Sequence, residues 1–442
     1  MITISHKIEL VPNNKQKTYF HKAFGCARLA YNWGLAEWQR RYKAGECVDV
    51  YVLKSAFNAI KKEEYPFVLE VTKYATQQAF INLGKAFKKY FADLKKGLVS
   101  YPQFKKKKDN AGSFYIGGDQ VSLSDINRNS KVFGKVPHNT KQKYQYFKVP
   151  NLGWVKMTER LRFIGKVNGV VISQQGDKYF ASFSVQVSEE EYRRTHPSVS
   201  TNKADRRVGI DLGIKSALTL SDGIAVENPA PLKRNLRKIK KISRQLARRV
   251  HARTKQECMV GRGKSNNYRK LSVRLSNAYR KVSDMRRDFV QKVTTILTTH
   301  YSHIAVETLT VKGMLRNHRL AQSISDVAFG ELSRQITYKS TMNGVSLYKA
   351  GRFYPSSKTC SVCGNVKQDL KLHDRTYYCD KCATVIDRDY NASLNLLSLV
   401  ATKQVGVGHP EFTPVDLTAL LFRFARNGIA TSKVEAGRQP RS

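Results

Sequence analysis

Two Cys-x-x-Cys pairs, Cys360-Ser-Val-Cys363 and Cys379-Asp-Lys-Cys382, stand fifteen residues apart. No other feature restricts the fold of this chain as tightly. Each pair bends the backbone so that both thiolates can meet one metal, and two pairs at this spacing form a zinc-ribbon pattern. Four thiolates close a tetrahedral site with no open position, so this Zn²⁺ is expected to hold structure and not to activate water. Gly364 permits the tight turn after the first pair. The other cysteines, Cys26, Cys47 and Cys258, are scattered, which brings the total to seven. An odd count with one cluster suits a metal site in a reducing compartment, not a disulfide framework.

The ribbon sits in a strongly basic chain. Lys and Arg total 78 against 34 Asp and Glu, a formal charge of +44 over 442 residues. A hydrophobic fraction of 41% with 10% aromatics is enough for real cores and excludes a disordered basic tail. The length predicts two to four domains, at roughly 100–200 residues each. A surface this positive repels itself unless an anionic partner neutralises it, and a nucleic acid backbone fits better than a membrane surface or a ribosome-associated role. No segment approaches the roughly 18 apolar residues of a membrane span. The opening Met1-Ile-Thr-Ile-Ser-His-Lys7 has no apolar signal-peptide core, so a cytoplasmic protein with no membrane partner is expected.

Residues 2–11 read as a strand broken by Pro12-Asn13-Asn14. Helical periodicity follows from Lys15 to about Ala44 on Phe20, Phe24, Ala27, Tyr31, Leu35 and Trp38, then over Val52–Lys62. A third helix spans about Thr72–Lys96 on Phe80, Leu83, Phe87, Tyr90 and Leu94. The aromatic stripe has the spacing of a buried face and is read as core, not as a base-stacking platform. Short strands are predicted at 113–116, 143–149, 154–157, 161–164, 170–174 and 179–187, with a hairpin at Gly176-Asp177. They make a small antiparallel barrel or sandwich. If strand 2–11 joins it, the helices are an insertion. Residues 188–206 read as a linker.

A buried strand, a Gly turn and a second strand are predicted over Val208–Gly223. Two long basic helices follow at 230–256 and 265–299, joined near Gly261-Arg-Gly-Lys-Ser265. Lys233, Arg234, Arg237, Lys240, Lys241, Arg244 and Arg248 on the first, with Arg269, Lys270 and Arg274 on the second, are candidate phosphate contacts. A strand at 302–309, one helix at about 321–342, a strand at 345–350 and a helix opening at Asp387-Arg-Asp389 complete the pattern. The final ~40 residues, with Gly, Pro and scattered charge, are expected to be partly disordered.

Three acids stand out in this acid-poor chain. Asp211 ends an apolar strand between Gly209 and Gly213, Glu307 ends the strand Ile304-Ala-Val306, and Asp389 opens a helix before Tyr390-Asn391-Ala392. Buried strands normally exclude carboxylates. Together they predict one pocket for two Mg²⁺ or Mn²⁺ ions and phosphodiester cleavage.

The segments VGIDLG, AVETLTVKGM, FYPSSKTCSVCG and IDRDYNASLNLL occur in that order. With Pro12-Asn13, Gln16, Gly25-Cys-Ala-Arg28 and Tyr31-Asn32, the chain resembles the OrfB/TnpB proteins of bacterial insertion sequences, relatives of type V CRISPR effectors, over residues 1 to about 398. The resemblance implies an α/β multidomain protein. A RuvC-like nuclease of RNase H fold (205–354 and 385–398) would contain the zinc ribbon (355–384). A wedge-like β-barrel (1–14 and 110–190) would be interrupted by a helical recognition module (15–109), with a C-terminal tail at 399–442. It implies an RNA-guided endonuclease encoded by a transposon. Its partners would be a guide RNA made from the transposon end and double-stranded DNA cut beside a short transposon-adjacent motif, in a bacterial or archaeal nucleoid. Asp211, Glu307 and Asp389 become the first, second and third catalytic acids and the Mg²⁺ ligands, with Asp387 the rival for the third. Ser276 and Gln291 stand where the family often has His, and Glu307-Thr308-Leu309 replaces Glu-Asp-Leu. Two rival readings are a nuclease-inactive RNA-guided repressor, disfavoured by the three acids, and a transposase performing strand transfer.

Overall fold

The computed structural model describes residues 1–107, 112–124, 144–195, 205–251, 265–371, 373–402 and 417–434. The chain is mixed α/β and divides into two compact units, residues 1–196 and 197–442. The Gly261–Lys264 junction between the basic helices, Cys258, and Lys108 lie outside the described residues.

The first unit opens with β1 (Ile2–Val11), then α1 (Asn14–Lys43), α2 (Val50–Ile60) and α3 (Lys73–Leu94). The Pro12-Asn13…Gln16 signature has a physical reason. Asn13 Oδ1 accepts from the Gln16 amide at 2.9 Å, and Gln16 Oε1 accepts from the Asn13 amide at 3.0 Å. This capping box satisfies two donors that the first turn leaves free. Gln16 Nε2 also donates to the Trp154 carbonyl, fixing α1 to the sheet. The aromatic stripe is core: Tyr31, Leu35, Phe57, Phe80, Leu83 and Phe87 form one buried cluster, with Trp38 stacked on Phe87 at 3.9 Å.

Strands β2 (Ser113–Gly117), β3 (Ser122–Ser124), β4 (Tyr146–Val149), β5 (Gly153–Met157), β6 (Lys166–Gln175) and β7 (Lys178–Val187) complete a sheet of order β2-β6-β7-β1-β5-β4-β3. The first strand thus lies mid-sheet, antiparallel to β7 and β5, and the three helices are inserted between strands of one sheet. The β6–β7 hairpin turns at Gly176-Asp177, with Gly176 at φ +66°. Along β7, Tyr179, Ala181, Phe183, Val185 and Val187 alternate into the core. Two expectations fail. Residues 161–164 form no strand, because they leave the ladder after Met157. The stretch read as linker contains α4 (Glu189–Thr195), held by Glu–Arg pairs one turn apart.

The second unit is built on a six-stranded sheet. It contains β8 (Arg207–Asp211), β9 (Ser216–Leu220) and β10 (Ile224–Glu227), then the long helices α5 (Pro231–His251) and α6 (Asn266–His300). Next come β11 (His303–Val306), α7 (Val311–Met314), α8 (Ala321–Val327), α9 (Phe329–Met342) and β12 (Ser346–Lys349). The ribbon strands β13 (Thr376–Tyr378) and β14 (Val385–Asp387) lead into α10 (Arg388–Thr402), and α11 (Leu417–Arg426) and β15 (Thr431–Lys433) follow. The sheet order is β12-β11-β8-β9-β10-β15, with β12, β11 and β8 parallel.

The second unit departs from the sequence expectations at two places. Residues 417–434 are not a tail: β15 pairs antiparallel with β10, and Leu420, Phe424 and Ile429 enter the main core. The expected single helix at 321–342 is two, broken at Ala328, whose φ of +61° is left-handed.

Asp326 on α8 locks the basic helices to this core. Its carboxylate is 3% exposed and accepts from the Leu232 and Lys233 amides, at 2.9 and 3.0 Å, supplying the N-terminal cap of α5. The same carboxylate takes Arg286 of α6 at 2.8 Å.

Candidate active site and metal centre

Sheet topology gathers the three acids. Asp211 is the last residue of β8, and Glu307 follows β11, its parallel neighbour in register from Arg207↔His303 to Ile210↔Val306. Both therefore emerge at one sheet edge. Helix α10 lies against β8 because Gly209 has no side chain: a Cβ there would meet the Ser393 carbonyl at 2.0 Å and the Leu397 amide at 2.5 Å. That close approach brings Asp389, in the first turn of α10, to the same edge.

The electrostatics record the convergence. Burial, then the charges of Glu307 and Asp389, push the Asp211 carboxyl well above its usual range. Burial pushes Glu307 up to about 7, against the Leu212 amide that donates to it at 3.3 Å, and Asp389 adds repulsion. Arg388 contacts Asp389 at 3.1 Å and Arg375 lies at 3.6 Å from it. Carboxylates this crowded resist ionising together. Hard divalent cations suit such an all-oxygen donor set.

The two candidates for the third acid have different tasks in this structure. Asp387 Oδ1 accepts from the Asp389 and Tyr390 amides, both at 2.9 Å, and so caps α10. Asp389 makes no such bond to the helix backbone and meets Arg388 and Arg375 instead. Both line a cavity of about 660 Å³ with Lys215, Glu227, Arg375 and Lys433.

The four cysteines do come together. Among the described residues they are the one His, Cys, Asp or Glu set whose ligand atoms all lie within 4.8 Å of one another; the three acids stand wider. Cys360 and Cys382 Sγ are 3.6 Å apart, Cys363 and Cys379 Sγ 3.5 Å. The two knuckles repeat one geometry. The Cys360 amide donates to Asn365 O and that of Cys379 to Thr384 O, while Gly364 N returns to Cys360 O and Ala383 N to Cys379 O. The residue after each second cysteine is left-handed, Gly364 at φ +73° and Ala383 at φ +53°. The Thr384 hydroxyl, 3.0 Å from Cys382 Sγ, and the Thr384 amide draw that thiol down to about 6. Four thiols already gathered at one point fit a structural Zn²⁺.

Sequence reasoning missed what joins the two sites. Asn391 Nδ2 donates to Thr359 O at 2.7 Å, and Asn391 Oδ1 accepts from the Ser361 amide at 2.9 Å. Asn395, one turn on, donates to Ser356 O and Thr359 O. Both asparagines are buried. They clamp the first knuckle to the helix that carries Asp389. Their spacing of four within IDRDYNASLNLL was the available signal, because buried amides on one helix face need partners.

All ten basic candidates on α5 and α6 are exposed, and no carboxylate pairs with any of them among the described residues. Further along α6, Arg280, Arg286 and Arg287 are instead taken by Asp284 and Asp326. Arg248, Lys270 and Arg274 line one cavity with Arg249, Gln245 and Asn267. In the first unit a separate cavity of about 400 Å³ is lined by Arg28, Gln78, Asn82, Lys105, Gln174 and Gln175. Among the described residues, no helix is long and apolar enough to cross a membrane.

Comparison with known proteins bears out the resemblance to the OrfB/TnpB group. Residues 182–318 match the OrfB family described as a probable transposase, residues 1–47 its helix-turn-helix domain, and residues 329–396 the Cas12f1-like TNB domain. Here residues 1–47 form one strand and one 30-residue helix. A relative from Streptomyces pristinaespiralis, named by inference as an RNA-guided DNA endonuclease, is 29% identical over 89% of this chain and 88% of its own length. A similarly named protein from Escherichia coli K12 is 26% identical over 89% and 91%. Among solved structures, CasPhi-2 bound to crRNA aligns over 93% of this chain and 99% of its own at 11% identity and TM-score 0.46. A Cas12f1–sgRNA–target DNA complex aligns over 90% and 99% at 15% identity and TM-score 0.31. Scores this low do not define a common fold.

Proposed function

We propose, with the OrfB/TnpB resemblance as premise, that this chain is an RNA-guided endonuclease encoded by a transposon, cutting double-stranded DNA beside a short adjacent motif. The observation that carries the reading is the convergence of Asp211, Glu307 and Asp389 from three distant segments onto one sheet edge. In this reading 205–354, 385–402 and 417–434 form the RuvC-like nuclease domain with the ribbon inserted at 355–384. The first unit supplies a wedge (1–14 and 110–190) and a recognition module (15–109).

A pair of Mg²⁺ or Mn²⁺ ions bound there would activate water and stabilise the leaving oxygen of a phosphodiester. Asp211, Glu307 and Asp389 hold that charge in place, and Asp387 fixes the helix that presents Asp389. The ten unpaired cations on α5 and α6 hold a guide–target duplex by its backbone, leaving sequence choice to base pairing. Gln78 and Asn82, one turn apart on α3 beside Arg28, offer the amide and guanidinium chemistry that reads base edges, which suits the adjacent motif.

The test is expression with native flanking DNA. After a high-salt wash, one discrete RNA should remain and map to the transposon end, since bulk RNA is stripped as counterions return. That complex should cut a plasmid carrying the matching sequence when Mg²⁺ is supplied. A random RNA smear with no cutting would overturn the reading. Joined strands would favour the transposase, and tight binding without cutting the repressor.

A further inference from the structure

The residues between β12 and the ribbon carry an unused feature. Phe353 is 89% exposed, the most exposed aromatic ring among the described residues. Single exposed apolar side chains are ordinary on protein surfaces. Two things set this one apart: how firmly it is held, and where.

Phe353 occupies a hydrogen-bonded turn in which the Tyr354 amide donates to the Gly351 carbonyl at 3.0 Å. Both feet of the turn are pinned. On one side the Ala350 amide donates to Val306 O at 2.8 Å, and Ala350 O accepts from Thr308 Oγ1 at 2.7 Å. On the other, the Tyr354 hydroxyl donates to Asn395 O at 3.0 Å. Ala350 and Tyr354 also pack with Ala305, Leu396 and Val400. The backbone under the ring is thus fixed before binding, and only the side-chain rotamer remains to be ordered.

The anchors are the elements that present the acids. Thr308 adjoins Glu307, and Asn395 lies on α10 behind Asp389. Arg352, its neighbour in sequence, and Lys349, at the end of β12, are both exposed. A flat apolar face flanked by unpaired cations is the pattern that holds single-stranded nucleic acid, by stacking on the base and neutralising the phosphate.

We propose that Phe353 is a positioning residue: its ring stacks on an unpaired base of the DNA strand and seats that strand at the acidic edge, with Arg352 on the neighbouring phosphate. This rests on the nuclease reading above and adds to it the residue that seats the strand. A base inside a duplex has no free face to offer the ring, so the strand must already be open there.

The experiment uses the full chain with its co-purified RNA. The substrate is a DNA oligonucleotide complementary to that RNA at one end and unpaired beyond it. Phe353→Ala and Phe353→Leu should each lose about five- to hundredfold in kcat/KM, the range that alanine substitution at base-stacking aromatics gives. Phe353→Trp should stay within about twofold. Zinc content and melting temperature should be unchanged in all three. Full activity in Phe353→Leu would assign the residue to apolar packing and overturn stacking, as would full activity in Phe353→Ala. A second arm reads binding alone. In an Asp211→Ala background, Phe353→Trp should add an indole emission quenched by the oligonucleotide. The same oligonucleotide with abasic sites along its unpaired stretch should not quench it. Equal quenching by both, or by neither, overturns the proposal. A wild-type complex that cuts nothing would sink the nuclease reading alone, and the fluorescence arm would still decide the stacking.

Discussion

The ribbon and the acidic edge both gather groups whose chemistry suits a cation, and they do so by opposite means. The ribbon gathers its ligands from one short stretch, each knuckle closing on its own backbone bonds. The acidic edge draws one carboxylate each from β8, from the end of β11 and from α10, and it exists only when the whole sheet does. The thiols already touch, while the carboxylates repel and stand apart. A locally built site can be lost without the sheet. A site built by the sheet can be emptied of function without any loss of fold.

The largest expected effect tests that second claim. Asp211→Ala, Glu307→Ala or Asp389→Ala should each cut cleavage at least about a thousandfold while leaving RNA retention unchanged, because the cations on α5 and α6 are untouched. Asp387→Asn, which still caps the helix, should keep most activity. Asp387→Ala should lose about 1 kcal/mol of stability, measured by urea unfolding. An inactive Asp387→Asn with an active Asp389→Ala would reverse the two assignments.

Next comes the ribbon. Purified protein should carry one zinc per chain by metal analysis. Cys360→Ser or Cys382→Ser should lose it and expose residues 355–384 to proteolysis, with the second unit's sheet still folded, since metal binding is coupled to local folding. Well-folded ribbon without zinc would break the comparison.

A smaller effect belongs to the sheet unit alone. Lys339 donates to Gln291 O, Thr294 Oγ1 and Thr295 Oγ1 between α9 and α6, and burial pushes it down to about 8. Its unfolded value is about 10.4, so between these values the unfolded chain holds more protons and stability rises with pH. Relative to Lys339→Met, the wild type should therefore gain up to ~3 kcal/mol from pH 8 to 10.4 and nothing below pH 8, by urea unfolding. Zinc retention should not change.

The smallest effect compares the two knuckles. Ala383 adopts the left-handed turn that Gly364 adopts without strain. Ala383→Gly should stabilise the ribbon by about 0.5–1 kcal/mol, read as slower zinc release to a chelator, and Gly364→Ala should speed it.

What could be read ahead of the structure follows the same division. The knuckles were legible because spacing fixes their geometry. The helices of the first unit were legible because Phe20, Phe24, Tyr31 and Leu35 on α1, and Phe80, Leu83 and Phe87 on α3, recur three, four or seven residues apart. Asp211 and Glu307 showed as charges where strands exclude charge, and Asp389 showed as the acid that opens a helix before Tyr390-Asn391-Ala392. β15 did not show, because Thr431-Ser432-Lys433 is a polar triplet that becomes a strand only through pairing with β10. Nor did the break at Ala328, where tertiary packing imposes a conformation the side chain disfavours. Asp326 looked like any helix-surface acid, and only the fold brings the α5 amides to it.

The placement of β1 bears on how the protein is made. This strand leaves the ribosome well before its partners, Gly153–Met157 and Lys178–Val187. The helices α1, α2 and α3 find their contacts nearby in sequence and can fold as they emerge, whereas strand pairing across so long a gap is intrinsically slow. Until β5 arrives β1 presents two unpaired edges to the cell, and until β7 arrives one. Synthesis rate and chaperone supply, more than final stability, would then govern how much active protein accumulates.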